Sequence, residues 1–195
     1  MGKRVCLIFV GGAGRNVWKH MSHEPWPQGV ARAVYVDSTP NALSPEERES
    51  FVQIGQVLLD GHGAVTPDRG RTAAESDAEA LCPLWQGTDA VVIIGGLGGG
   101  LGTGAAPVIA RLAHEMGLTV DAVMSTPFGF EGKQRIETAE GGVPMLRAAV
   151  DRLTLIDLDA LHKARPELTL ATAYETADRH VADAVKRVCW EPAAM

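Results

Sequence analysis

The sequence predicts an α/β protein built on a Rossmann-like, mostly parallel sheet with helices on both faces. Three observations predict it. Short continuous apolar runs, such as Ala90-Val91-Val92-Ile93-Ile94, alternate along the chain with stretches of helical periodicity. That alternation marks strands buried on both faces and joined by crossover helices. Two of the runs lead straight into glycine loops, residues 11–14 and residues 95–104, and each loop is followed by a helical pattern. A chain of 195 residues, 46% of them hydrophobic, can bury a sizeable core as one domain.

The strands fall at residues 3–10, 33–36, 52–55, 90–94, 119–124 and 153–156. Helical patterns fall at 14–20, 67–85, 103–116, 132–151 and 172–189. Gly141, Gly142 and Pro144 are expected to break or kink the fourth of these, because proline removes a helix donor. Residues 60–67, Asp-Gly-His-Gly-Ala-Val-Thr-Pro, read as a loop on turn chemistry. No repeat or low-complexity linker interrupts the pattern, so residues 1–190 form one expected domain, with a short tail at 191–195.

The charge balance restricts the partners. Net charge is −6, the isoelectric point is about 5.5, and no long basic run occurs. A nucleic-acid surface or an anionic-membrane surface is therefore not expected. The apolar runs are far too short to cross a bilayer, and no basic-apolar leader opens the chain. Cys6, Cys82 and Cys189 are widely spaced without a CxxC pattern, as in a cytoplasmic protein with reduced thiols. The histidines are scattered and lack Cys or acidic partners at metal-ligand spacing, so no metal site made of protein ligands is expected.

In open sheets of this class, ligands bind beyond the C-terminal strand ends, so the loops there carry the function. The loop Gly11-Gly12-Ala13-Gly14-Arg15-Asn16 follows the first strand. Gly12 and Gly14 supply two of the three glycines of a dinucleotide fingerprint, and Asp37 at the end of the second strand could serve as its ribose acid. A nicotinamide dinucleotide is therefore one reading, and a tight ligand-free turn is another. Residues 95–104 hold seven glycines in ten. Glycine weakens a core, and after a buried strand its commonest use is close approach of backbone N–H groups to phosphate oxygens. No lysine follows these glycines, so the loop is not a P-loop.

Residues 95–107, together with Thr126-Pro127-Phe128-Gly129-Phe130-Glu131-Gly132-Lys133-Gln134-Arg135, resemble the tubulin/FtsZ family of GTP-binding cytoskeletal proteins, and the bacterial FtsZ branch most of all. The family has a GGGTGTG-type signature loop, and its next loop reads TKPFxFEGxxR. The similarity runs in order from Lys3 to about Val188. The resemblance implies that Gly11, Gly12, Gly14 and Asn16 line the α- and β-phosphates, Asn16 also lying near the base. Gly63 and Ala64 then lie by the γ-phosphate. Gly98, Gly99, Gly100, Gly102, Thr103 and Gly104 wrap the phosphate tail, and Pro127, Glu131 and Arg135 hold the ribose side. GTP or GDP is the implied ligand, with any Mg²⁺ held through phosphates and water.

In residues 172–189, Tyr174, Ala177, Val181, Ala184, Val185 and Val188 form an apolar stripe at helical spacing, and Asp178 falls on the same face. A carboxylate there must find strong donors. In the family this position accepts hydrogen bonds from the guanine edge, and the ring residue four positions earlier stacks on the base; Tyr174 and Asp178 match that pair. A buried salt bridge from Asp178 to a nearby Arg or Lys is the alternative. The opposite face carries Glu175, Thr176, Arg179, His180, Asp183, Lys186 and Arg187 and is fit for water.

The chain also departs from the family. Leu101 stands where the glycine loop has a threonine, Val65 where a second glycine is expected, Arg15 in place of a glycine, and Leu158 in place of an asparagine near the ribose. Arg15 could pair with phosphate or point to solvent. The family's second domain, which carries the acidic loop that activates the attacking water, is not expected in this chain. The resulting expectation is a guanine-nucleotide-binding, FtsZ-like regulator or cap of filament assembly. It would have little hydrolysis of its own, and its partner would be a full-length FtsZ-like protein or itself. The alternatives are a weak GTPase activated by association and a scaffold without nucleotide.

Overall fold

A computed structural model describes residues 3–40, 43–60 and 62–190. The expected tail at 191–195 and Gly61 of the expected loop lie outside the described residues. Six strands, β1 (Val5–Val10), β2 (Val30–Asp37), β3 (Phe51–Gln53), β4 (Ala90–Gly96), β5 (Thr119–Thr126) and β6 (Arg152–Asp157), form one sheet in the order β3-β2-β1-β4-β5-β6. Every neighbouring pair is parallel, so the expected sheet is present and is parallel throughout.

Strand side chains alternate between faces, and β1 distributes its buried residues accordingly. Leu7 and Phe9 join one core with Val17, Trp18 and Met21 of α1 (Gly11–Ser22) and Val181 and Val185 of α8 (Leu170–Trp190). Cys6, Ile8 and Val10 join the opposite core, which takes Ala73 and Ala74 from α3 (Pro67–Ser76), Ile109 from α5 (Ala106–Glu115) and Leu146 from α6 (Lys133–Ala149). Helices thus cover both faces.

Several elements differ from the sequence reading. The helix expected at 67–85 is three pieces: α3, then α4 (Ala78–Leu81), then a 3-10 turn at Cys82–Trp85. Asp77 leaves helical geometry between the first two, and its carboxylate accepts from the Gly55 N–H. Pro83, which has no N–H to donate, sits in the 3-10 turn. The expected break at Pro144 is absent, and α6 runs through Gly141, Gly142 and Pro144. Packing at Gly142 favours the continuous helix: a Cβ there would overlap the Thr103 methyl, so the glycine lets α6 sit directly on the glycine loop. Two short helices were not expected, α2 (Pro45–Ser50) and α7 (Leu158–Ala164). Both are held by side-chain caps, Ser44 with Glu47 in a capping box and Asp157 on the Ala160 N–H. On α8, Thr176 is buried rather than facing water, and Lys186 pairs with Glu24 at 2.8 Å.

Candidate functional site

β1 and β4 are neighbours, yet the chain leaves β1 toward β2 and β3, and leaves β4 toward β5 and β6. Their following loops therefore part above the C-terminal strand ends and open a crevice at the switch point. α1 begins at Gly11, directly after Val10, with no acidic residue in its first turn. Its leading N–H groups have no intrahelical acceptor and point into the crevice. Beyond β4, the glycine loop winds into a π-helical turn at Leu101–Ala105 that continues as α5. Such wide turns are rare in proteins and often occur at functional sites.

The crevice has two compartments. The first, about 290 Å³, is bounded by Gly11 and Gly12 of α1, Gly63 and Ala64 of the facing loop, and Gly99, Gly100 and Gly102 of the glycine loop. The second, about 200 Å³, brings together Asn16, Pro127, Glu131, Arg135, Tyr174 and Asp178, six of the expected residues, from three separate parts of the chain. Ala13, Gly96 and Arg135 line both compartments, so the two are continuous.

Four expected contacts are placed elsewhere. Gly14 faces the sheet from α1, where a Cβ would come within 2.9 Å of the Ile94 carbonyl oxygen. The Gly98 N–H donates to Thr103 Oγ1 at 2.9 Å, so this donor is spent inside the loop, and Thr103 itself is buried. A Cβ on Gly104 would overlap the Pro67 carbonyl oxygen, which makes Gly104 the contact between the glycine loop and α3. Gly14, Gly98, Thr103 and Gly104 shape the cradle from behind and do not form its surface. Ala64 does line the first compartment, but its N–H is already donated to Ser38 Oγ at 3.0 Å.

The structure also adds residues to the site. Asp37, Ser38 and Thr39 line the first compartment. The sequence signal was available, because they follow β2 directly and ligands gather at strand C-termini. Asp37 is no ribose acid: its carboxylate accepts from the Tyr35 hydroxyl and from Ser38 N at 2.6 Å, and the residue is buried. Leu101 lines the same compartment and packs into the core beside Gly11, and Val65 stands exposed at the rim.

In the second compartment, Asp178 has no cation or hydrogen-bond donor in reach among the described residues. Burial, and secondarily the neighbouring Glu175 carboxylate, push its pKa up to about 6. The expected alternative, a salt bridge to Arg or Lys, is not formed. Tyr174 is held edge-on against Phe128, with ring centres 5.1 Å apart at 85°, and presents a partly exposed ring. Glu131 accepts from Phe128 N at 2.9 Å and pairs with Arg135 at 3.1 Å. Leu158 is buried beside Phe128 and Ala177 as part of the floor.

Arg15 does not simply point to solvent. It grips Glu47 through two nitrogens, at 2.8 and 3.1 Å, while Glu47 accepts from Ser44 N at 2.7 Å. This ties α2 to α1 just outside the cradle, and the Arg15 hydrogen bonds hold the Glu47 carboxyl down at about 2. Glu47→Gln is expected to cost about 2 kcal/mol, the range for a hydrogen bond to a charged group, measured as a lower urea midpoint at neutral pH. Because the folded pKa lies below the unfolded one, that stability is present above about pH 4.5 and is lost as pH falls toward 2. The wild-type and Gln midpoints should therefore converge on acidification.

The switch-point crevice, with helix N-termini at one end and an unpartnered carboxylate at the other, defines a Rossmann-like α/β domain with the architecture of nucleotide-binding proteins. More specifically, the chain belongs to the tubulin/FtsZ family, whose GTPase-domain model matches residues 4–166. The cell division protein FtsZ of Buchnera aphidicola subsp. Acyrthosiphon pisum is 40% identical over 184 residues, 93% of this chain and 47% of that protein. FtsZ of Wigglesworthia glossinidia brevipalpis is 39% identical over the same shares. An empty FtsZ dimer from M. jannaschii superposes with a TM-score of 0.87 at 31% identity, over 97% of this chain and 55% of that one. A GDP-bound monomer of CetZ1 from Haloferax volcanii superposes with a TM-score of 0.79 at 26% identity, over 92% and 58%. The chain spans about half the length of these relatives. Among the described residues, no helix is long and apolar enough to cross a membrane.

Proposed function

We propose that the crevice binds a guanine nucleotide, GTP or GDP, with its phosphates between the α1 N-terminus and the glycine loop and its base beside Tyr174 and Asp178. The observation that carries this reading is the half-buried Asp178 carboxylate, left without a donor among the described residues and facing the second compartment beside Tyr174. Guanine presents two adjacent donors, its ring N1–H and its exocyclic amine, which a carboxylate can accept together. Gly12, Gly63 and Gly99 are the open positions of the phosphate end, where a Cβ would meet at most one atom within 4 Å. Of the residues lining that end, Asp37 alone has a carboxylate, and it is engaged. The donor set thus suits Mg²⁺ carried by phosphates and water better than a cage of protein ligands.

The same count supports slow hydrolysis. General-base catalysis needs a carboxylate within hydrogen-bond reach of the attacking water. Asp37 already accepts from Tyr35 and Ser38, and Glu131 lies in the base compartment, tied to Arg135. A subunit that holds nucleotide without turning it over regulates an assembly rather than driving it. The proposed role is therefore a regulator or cap of filaments, acting on a full-length FtsZ-like protein or on a second copy. Nucleotide released by denaturing the purified chain should be GDP or GTP. Phosphate release from added GTP should be slow and constant per chain across a concentration series. A rate per chain that climbs with concentration would instead mark a GTPase activated by self-association. Light scattering of a full-length FtsZ-like protein should change when this chain is added, and unchanged assembly would overturn the regulatory role.

A further inference from the structure

Ala64 is fixed from both sides. Its N–H donates to Ser38 Oγ at 3.0 Å, and its carbonyl oxygen lies where a Cβ on Gly100 would be. Ser38 is 2% exposed and Ala64 9%. Ser38 is itself braced, because its hydroxyl lies 3.4 Å from Asp37 Oδ1 and its carbonyl accepts from Gln53 Nε2 at 3.0 Å. A chain of contacts thus runs from the end of β2 through Ser38 and Ala64 to the glycine loop. Both Ser38 and Ala64 line the phosphate compartment, opposite Gly99 and Gly100. Val65, the next residue, is 76% exposed and is not packed in the core.

An oxyanion that reaches Ala64 from the first compartment needs N–H donors, and the Ala64 N–H is already taken by a neutral hydroxyl. A phosphate oxygen is the stronger acceptor, since hydrogen bonds to charged groups are about twice as strong as neutral ones. Taking that donor, however, requires breaking the Ser38 contact first. We propose that Ser38 is a positioning residue that latches the 63–65 loop and biases the crevice toward the nucleotide with the shorter phosphate chain. Diphosphate leaves the latch closed, whereas triphosphate must open it to use Ala64. The bias rests on the guanine-nucleotide reading with its third phosphate beside Ala64; the latch itself rests on the Ser38–Ala64 contact.

The test compares the wild-type chain with Ser38→Ala and Ser38→Thr, using calorimetric titration with GDP and with a non-hydrolysable GTP analogue. Amide exchange of Ala64, followed by NMR in the nucleotide-free chain, accompanies it. Ser38→Ala should raise the ratio of analogue affinity to GDP affinity about five- to tenfold, the effect of one hydrogen bond, and should speed Ala64 exchange about tenfold. Ser38→Thr, which keeps the hydroxyl, should restore both toward wild type. A purely structural role would lower both affinities together and leave their ratio alone. Binding with an unchanged ratio, or Ala64 exchange unaffected by loss of the hydroxyl, overturns the latch. Failure of the wild-type chain to bind either nucleotide overturns the guanine reading, and the bias falls with it, while the exchange result still judges the latch.

Discussion

Asp178→Asn should weaken GDP binding about a hundredfold and let xanthosine diphosphate bind in its place. A carboxylate accepting from two adjacent donors makes two charge-assisted hydrogen bonds, and losing the pair costs about 3 kcal/mol, a factor of roughly 150. The amide turns one acceptor into a donor, which clashes with the guanine amine but suits the carbonyl that xanthine carries there. A merely misfolded pocket would lose both ligands, so the exchange of preference is the informative readout. The pH dependence follows from the same group. With Asp178 pushed up to about 6 in the free chain, the accepting, ionised form prevails above neutrality. GDP affinity should be flat above about pH 7 and fall about tenfold per unit well below 6. Stability of the free chain moves the other way. Its folded pKa lies above the unfolded one, so this group's contribution is full below about pH 4 and is lost as pH rises through 6. Asp178→Asn should flatten both profiles, as measured by titration and by urea unfolding across pH.

Gly104→Ala and Gly99→Ala should separate the two jobs of the glycine loop. Alanine for glycine within a helical segment ordinarily stabilises by about 0.5–1 kcal/mol. At Gly104 the sign should reverse. A Cβ there would overlap the Pro67 carbonyl and come within 2.8 Å of Arg71 N, both backbone atoms of α3, so the helix itself must move. A loss of about 3 kcal/mol is expected, at the upper end for overpacking, with a matching fall in the urea midpoint. At Gly99 a Cβ meets nothing within 4 Å and projects into open space at the wall of the phosphate compartment. Gly99→Ala should unfold within about 0.5 kcal/mol of wild type, the usual range for such substitutions, yet bind GDP at least tenfold more weakly. Equal stability of the two variants, or full nucleotide affinity in Gly99→Ala, would contradict this division.

That division shows what the sequence could and could not convey. The six strands were legible because a continuous apolar run such as Val91–Ile94, set between turn signals, suits a strand buried on both faces, although several strand ends moved by one to three residues. The Tyr174–Asp178 pair was legible through the family resemblance, with helical spacing setting the carboxylate on an apolar face in support, and the structure puts both in one compartment. The glycine run was legible as a loop and only partly as a surface. Composition cannot distinguish Gly99, facing open space, from Gly104, facing another backbone; only the position of α3 decides. Arg15 was misread because its partner, Glu47, lies 32 positions away on a short helix that the periodicity did not reveal. The Ser44-Pro45-Glu46-Glu47 capping signature was present in the sequence and would have revealed it. The continuity of α6 through Pro144 was not readable, because it depends on the close fit of Gly142 over Thr103.

Selectivity for guanine is proposed to reside in Asp178. Calorimetric titration of the nucleotide-stripped chain with GDP and ADP in parallel, near pH 7.5, tests it most directly. The expected result is one GDP per chain with ADP at least a hundredfold weaker, because adenine presents an acceptor, not a donor, at its ring N1. Equal affinity for GDP and ADP, or binding of neither, would contradict it.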